Sequence, residues 1–316
     1  MDLKKIIYGL ILAFLILIPG CIKEDLSDCG ITVHFTYTRN LSYEDKFTEN
    51  IDQVSLFLFD GNGVFLEEYT RQAKDLNDQS MDISLLLGDY QLVAWGNLNE
   101  NYEIIPSFIK GETKIEDAIL TLNRIQDTVK DFPTPLFYAG VAKAKIESPY
   151  PGRKTVEMDF MKNTNAVHIR AKGLPIDFEN PEDSNEIYEF KIVSTNGNYT
   201  FYNTVLGNPL TYIPTNSVDV ENKIYLSDFV ILRELNDKST DSRLVITRKK
   251  NGQPEEVLFN IDLEDELIKY SKRQGRDGDL DREDDFILEI DFNETHGAVT
   301  ITINGWESIE GGGSIG

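Results

Sequence analysis

Positive charge, cysteine, histidine and long apolar runs are all scarce in this chain of 316 residues. Lys and Arg number 31 against 54 Asp and Glu, a formal net charge of −23. So acidic a surface excludes nucleic acid as a partner, because phosphate contacts need a basic face. Two cysteines are too few for a disulfide framework or a thiolate zinc site. Three histidines, His34, His168 and His296, leave little for metal or acid–base chemistry. Two tryptophans, Trp95 and Trp306, leave few aromatic platforms for sugars. What is present is ordinary for a folded protein: 41% hydrophobic and 10% aromatic residues, in a length that suits two domains with separate cores.

The single long apolar run covers residues 6–18, interrupted by Tyr8 and Gly9 and preceded by Lys4 and Lys5. Its 13 residues fall short of the roughly 20 that a helix needs to span a bilayer, so it reads as a secretory leader. The leader ends Ile18-Pro19-Gly20-Cys21. That order (branched aliphatic, variable, small, cysteine) resembles the lipobox of bacterial lipoproteins, with Pro19 an unusual member. By this resemblance residues 1–20 are removed, Cys21 is acylated, and residues 21–30 form a tether. Two or more acyl chains would hold the protein stably on a membrane, at about 0.8 kcal/mol per buried methylene. Lys23-Glu24-Asp25 resembles the surface-export signal of Bacteroidales-type lipoproteins. With Cys21 acylated, Cys29 is expected to be an inert thiol.

Strand patterns dominate the remainder. Ile31, Val33, Phe35 and Tyr37 alternate with polar residues, the period-two signature of a half-buried strand. Residues 54–59 form a second strand, and Asp60-Gly61-Asn62-Gly63 turns the chain into residues 64–66. Met81, Ile83, Leu85 and Leu87 alternate again, and further strands are predicted at 90–95, 136–142 and 154–161, with a short helix within 114–122. The pattern then repeats from Val167, Ile169 and Ala171 through 187–193, 199–203, 229–232, 244–248, 257–261, 286–292 and 298–303, with a helix at 263–273 and a turn at 293–297. Short strands separated by turns indicate all-β sandwiches. The polar stretch Lys162-Asn163-Thr164-Asn165 sets a boundary between domains 31–163 and 164–316.

Candidate chemistry is sparse. Asp277, Asp279, Asp281 and Asp285 resemble the opening of a calcium loop, but Arg282 stands where the loop needs glycine and Leu288 where it needs a bidentate glutamate. A solvated connector is the competing reading. His34 and His168 fall on polar strand faces and His296 in a turn. Asp127-Thr128-Val129 has the form of a bacterial O-glycosylation sequon at Thr128, with a plain loop threonine as the alternative. The glycine-rich residues 311–316 mimic nucleophile-elbow and dinucleotide spacings without the following helix that both require. No convergent nucleophile, base and oxyanion set can be named, so no enzyme is expected, and no cofactor.

Several segments, in order, resemble the FimB-type fimbrial anchor family, the minor fimbrial subunit lipoproteins of Bacteroidales. They are residues 21–29 after the lipobox, Val54-Ser55-Leu56-Phe57-Leu58-Phe59-Asp60, Gly88-Asp89-Tyr90-Gln91-Leu92-Val93-Ala94-Trp95-Gly96-Asn97, and Lys162-Asn163-Thr164-Asn165 ahead of His168. Leu280-Asp281-Arg282-Glu283-Asp284 and Ile303-Asn304-Gly305-Trp306 complete the set. The resemblance implies two tandem transthyretin-like β-sandwich domains with short helices in connections, and no catalysis. It also implies a lipid-anchored place in a fimbrium at the outer membrane, with pilin-like stalk subunits as partners joined by strand addition. Residues 280–285 then link the last helix to a strand. Stalk subunits of such fimbriae are trimmed after a basic residue, but Arg39 ends a strand expected in the core, so the N-terminus is expected to be retained. The glycine-rich end after Trp306 is too poor in β-branched residues for a donor strand. A surface lipoprotein that binds glycans is the alternative; it would need Trp95 or Trp306 exposed, and both are expected to be buried.

Overall fold

A computed structural model describes residues 29–130, 134–147, 152–179, 186–234, 240–273, 280–292 and 299–311. Strands make the fold. The N-terminal half contributes β1 (Cys29–Arg39), β2 (Gln53–Asp60), β3 (Phe65–Gln72), β4 (Ser80–Ser84), β5 (Gly88–Gly96), β6 (Tyr102–Ile105), β7 (Ile119–Leu122), β8 (Thr128–Lys130), β9 (Phe137–Ile146) and β10 (Gly152–Lys162). The C-terminal half contributes β11 (Thr164–Lys172), β12 (Glu186–Ser194), β13 (Asn198–Thr200), β14 (Leu210–Ile213), β15 (Thr215–Asp219), β16 (Ile224–Leu232), β17 (Arg243–Lys250), β18 (Glu256–Asp262), β19 (Asp285–Phe292), β20 (Val299–Ile303) and β21 (Trp306–Gly311). Helices α1 (Phe47–Asn50) and α2 (Leu263–Arg273) lie in connections. No helix of the described residues is long and apolar enough to cross a membrane.

The first sheet has seven strands in the order β3-β2-β5-β9-β10-β1-β4. The C-terminal half forms a six-stranded sheet, β15-β16-β11-β19-β20-β21, and four strands of a five-stranded one, β18-β17-β12-β14-β8, whose edge strand β8 comes from the N-terminal half. The two halves share one topological device: the opening strand of each pairs in parallel with a much later one. Cys29 through Thr36 of β1 align with Gly152 through Asp159 of β10, and Ala166 through Lys172 of β11 align with Asp285 through Asp291 of β19. Parallel partners need a crossover rather than a hairpin, so each half closes only after most of its chain has been placed.

Burial follows the side-chain alternation. Ile31, Val33, Phe35 and Tyr37 of β1 point into a core with Val54, Leu56 and Leu58 of β2 and Val156, Met158 and Phe160 of β10. The intervening residues Phe57 and Phe59, with Val93, Trp95 and Tyr138, belong to a second and larger core that continues through the C-terminal half to Ile303. β2 and β5 are therefore covered on both faces, which is why they read as unbroken apolar runs rather than alternating ones.

Two expectations need correction, and one further strand appears that the sequence reading did not assign. The short helix predicted within 114–122 is a turn followed by β7, whose Leu120 and Leu122 point inward at strand spacing. The strand predicted through Leu87 stops at Ser84, leaving Leu86 and Leu87 exposed before Gly88. The segment after Trp306 is an edge strand of its own sheet, joined to β20 by a two-residue Asn304-Gly305 turn with both φ positive (49° and 80°), the geometry that matches strand twist. The predicted turn at 293–297 lies outside the described residues.

Candidate functional site

Buried polar contacts join the N- and C-terminal halves. β10 and β11 are separated only by Asn163, which is fully buried. Its backbone N–H donates to the Leu136 carbonyl at 2.6 Å, its own carbonyl accepts from the Arg233 N–H at 3.0 Å, and its side-chain oxygen accepts from Asn203 at 3.0 Å. Asn165 accepts the Glu234 N–H at 2.7 Å. The polar stretch at 162–165, where the sequence places the domain boundary, is thus a buried hydrogen-bonded seam.

An aromatic cluster covers this seam. The Phe201 ring, from the turn after β13, lies 5.2 Å from Phe57, 5.0 Å from Phe108 and 6.1 Å from Trp95, in edge-on contacts. The Tyr138 hydroxyl donates to the Phe201 carbonyl at 3.1 Å. Strand pairing also crosses the halves: β13 pairs with β7, and β8 runs parallel to β14 at the edge of the five-stranded sheet.

Residues 280–285 form the second joint. Leu280 is buried in the core, and Glu283 accepts from the Tyr270 hydroxyl at 2.9 Å and from Asn304 at 3.3 Å. The Arg282 guanidinium reaches into the N-terminal half, donating to the Thr38 carbonyl at 2.8 Å. Asp284 pairs with Lys162 at 3.1 Å. Burial first, and then the Asp284 carboxylate, push the Tyr37 phenol well above its ordinary range.

Each residue singled out in the sequence can now be placed. Cys21, Asp277, Asp279 and His296 lie outside the described residues. Asp281 pairs with Arg233, and Asp285 faces the His168 ring at 3.4 Å. Among the described residues no group of three or more His, Cys, Asp or Glu side chains is arranged to hold a metal. His34 contacts Glu157 at 2.7 Å and His168 contacts Asp228 at 2.6 Å, both on polar strand faces as expected. The Asp60 carboxylate accepts the N–H groups of Asn62 and Val64, both at 2.9 Å, which is turn chemistry. Thr128 opens the edge strand β8 and is half-buried. Cys29 is a buried thiol. Trp95 is buried, but Trp306 is 53% exposed, contrary to the expectation that both pack inside; it follows the tight turn at the sheet edge.

Sequence reasoning missed a buried carboxyl. Glu234 is fully enclosed, with hydroxyls of Ser242 at 2.6 Å and Thr240 at 2.5 Å on its oxygens. Burial pushes its pKa up to about 8, against the opposing effect of those two hydroxyls. The signal available in the sequence was Arg233-Glu234 directly after the apolar end of β16, where a charged pair would be expected to be solvated.

Comparison with known proteins agrees with this architecture. The sequence matches the family described as fimbrillin-A associated anchor proteins Mfa1 and Mfa2 over residues 26–310. It is 24% identical over 325 residues to the minor fimbrium anchoring subunit Mfa2 of Porphyromonas gingivalis, covering 97% of this chain and 95% of the relative. The solved structure of the P. gingivalis fimbrial anchor protein Mfa2 superposes with a TM-score of 0.72 at 20% identity, covering 89% of this chain and 99% of that one. A Bacteroides thetaiotaomicron protein, described provisionally as polysaccharide-binding, superposes with a TM-score of 0.75 at 24% identity over 88% of this chain and 97% of its own. The match along nearly the whole chain bears out the fimbrial-anchor resemblance carried by its scattered segments, and the chain belongs to the family of fimbrillin-A associated anchor proteins Mfa1 and Mfa2.

Proposed function

We propose that this protein is a lipid-anchored, non-catalytic fimbrial subunit. It is acylated at Cys21 after removal of residues 1–20, held at the outer membrane by a tether of residues 21–30, and joined to stalk subunits by strand addition. Its two tandem sandwich domains divide at 163/164. The observation that carries this reading is the position of β1. It begins at Cys29, eight residues after Cys21, and lies between β10 and β4 with Ile31, Val33 and Phe35 fully buried. Trimming at Arg39 would strip this whole strand from the core. An N-terminus that must stay is what an anchor needs, whereas a stalk subunit gives its own up to open a groove. Strand addition would satisfy unpaired N–H and C=O groups at an open sheet edge, of which β3, β4, β15, β18 and β21 are examples. Thr128 remains a proposed glycosylation site and the Asp277–Asp285 run a proposed weak calcium loop.

The test is a pull-down from outer-membrane extract, with a tag at Gly252, where added atoms meet nothing within 4 Å. Co-purification of pilin-like lipoproteins with the unmodified chain, and their release from cells by Cys21→Ala, is the expected result. Recovery of the protein alone in both forms would overturn the reading. Glycan capture is the second reading, favoured by the exposure of Trp306; a glycan array comparing the chain with Trp306→Ala decides it, and binding lost in the variant would bring it forward.

A further inference from the structure

The register of the first sheet gathers several distant segments at the end of the N-terminal half from which the tether leaves. Cys29 pairs with Gly152 of β10, Gly30 with Ser84 of β4, and the Leu85 N–H donates to the Cys29 carbonyl at 3.3 Å. On the other side of the same end, Gly88 of β5 pairs with Ile146 of β9, and Asp60 of β2 with Tyr90 of β5. Leu86 and Leu87 bridge the two sides. They are 65% and 56% exposed, two adjacent large aliphatic side chains held in water. Such a pair offers an aliphatic surface to an apolar partner.

The same end carries three lysines, Lys143, Lys145 and Lys154, among its carboxylates. β9 and β10 pair only at Tyr138 with Met161 and Phe137 with Lys162, then diverge toward this end. A cleft of about 710 Å³ opens there, lined by Lys143, Lys145 and Lys154 with Asp60 and Asp89. Lys145 is held by Glu147 at 2.6 Å, and Asp60 is occupied by backbone N–H groups of its own turn. Lys143 and Lys154 are exposed, and the Lys154 ammonium acts on the nearby Glu147 carboxylate that Lys145 holds. In a chain of net charge −23, two exposed lysines at the same end as two exposed leucines form a surface with both components that lipid headgroups recognise: aliphatic groups for the acyl boundary and ammonium groups for phosphates.

Chain length fixes which surface this is. From Cys21 to Cys29 there are eight residues, a reach of at most about 27 Å when fully extended. We propose that this end of the N-terminal half docks directly on the membrane, with Leu86 and Leu87 inserted at the headgroup level and Lys143 and Lys154 on lipid phosphates. The inference rests on acylation at Cys21. The acyl chains set the concentration of this end at the bilayer, and the docked contacts set its orientation, so the subunit stands at a defined angle instead of swinging on its tether.

The experiment uses the full acylated chain with Cys29→Ala and a fluorophore on Ser84→Cys, beside the leucines, or on Ser42→Cys, beyond the other end of β1. Eleven residues of strand place those ends roughly 35 Å apart. The protein is reconstituted into vesicles of phosphatidylethanolamine and phosphatidylglycerol in a three-to-one ratio, with a quencher on the lipid headgroups. Strong quenching at position 84 and little at 42 is the expected result. Leu86→Ser with Leu87→Ser should abolish the difference, and each of Lys143→Glu and Lys154→Glu should lower the docked population about fivefold or more while the protein still co-floats with lipid. A chain that floats but shows equal quenching at both positions overturns docking and leaves the anchor intact. A chain that fails to float, as Cys21→Ala should, overturns acylation and docking together.

Discussion

The guanidinium of Arg282 lies 4.3 Å above the centre of the Tyr43 ring while it donates to the Thr38 carbonyl, so one side chain from the C-terminal half closes over the end of β1. A second hydrogen bond, to the Asn40 carbonyl at 3.4 Å, completes the clamp. Hydrogen bonds from a charged donor are worth about 1.5–3 kcal/mol and an exposed cation–π contact about 0.5–1 kcal/mol. Arg282→Ala should therefore destabilise the chain by about 2–3 kcal/mol in urea denaturation. Arg282→Lys should recover part of the charge effect but little of the geometry. A double-mutant cycle with Tyr43→Ala should give a coupling of about 0.5–1 kcal/mol; a coupling of zero would show that the ring contact contributes nothing.

Phe201 fills the space between the halves, so its truncation tests whether they unfold as one unit. Phe201→Ala should lower stability by about 3–5 kcal/mol. If the aromatic cluster couples the halves, the unmodified chain should melt in one thermal transition and the variant in two. A retained single transition at lower temperature would mean that the seam at Asn163 and the clamp suffice.

The buried Glu234 carboxyl predicts a pH dependence of definite sign. Its folded pKa of about 8 lies above an ordinary carboxyl value, so between those pH values the folded state binds the extra proton. Stability should then fall as pH rises from about 4.5 to about 8, by an amount on the order of a few kcal/mol. Glu234→Gln imitates the protonated form and should remove this slope. It should be near neutral at pH 5 and stabilising by about 1–3 kcal/mol at pH 8.5. Parallel urea titrations of both proteins across that range check it, and parallel slopes would reject the assignment.

Gly173 ends β11 with φ at +76°, and a Cβ built there would sit 2.0 Å from the Phe292 carbonyl oxygen. Backbone cannot yield cheaply at that contact, so Gly173→Ala should cost about 3 kcal/mol or more, combining a strained φ with steric displacement of β19. Gly207, also at positive φ but with open space around it, is the control: Gly207→Ala should cost only about 1 kcal/mol from the backbone preference.

The N-terminus gives a further prediction. Intact-mass spectrometry of the chain taken from the outer membrane should show acylated Cys21 as the first residue. A species beginning at Asn40 would mean that β1 is discarded and that the subunit is processed like a stalk component.

Much of this architecture is legible in the sequence wherever one periodicity governs a segment. Residues 31–37 alternate because one face of β1 is buried and the other meets solvent, and the helix at 263–273 coincides with α2 because Leu263, Leu267, Ile268 and Tyr270 fall at helical spacing and are all buried. Prediction fails where the two periodicities overlap. Ile115, Ala118 and Leu122 suit a helix, yet Ala118, Leu120 and Leu122 are buried in the alternating fashion of a strand entering from a turn. The short strands β6, β8, β14 and β15 carry too few residues for any period to register. The joints between halves were out of reach for another reason: Arg282 and Thr38 are 244 residues apart, and nothing local in Leu280-Asp281-Arg282-Glu283-Asp284 reveals which carbonyls it will meet.

The parallel pairing of β1 with β10 has a mechanical consequence. In the proposed arrangement, anchored at Cys21 and joined to a filament through the C-terminal half, tension would enter the N-terminal half through β10, whose C-terminal end continues into β11, and leave through the N-terminal end of β1. Because the two strands run the same way, these opposed pulls act along their shared axis. The ladder from Cys29 to Thr36 must then slide as a whole, loading its hydrogen bonds together. An antiparallel pair pulled at one end would peel open one bond at a time. Loaded in that direction, the parallel ladder should hold against steady traction better than a pair that peels.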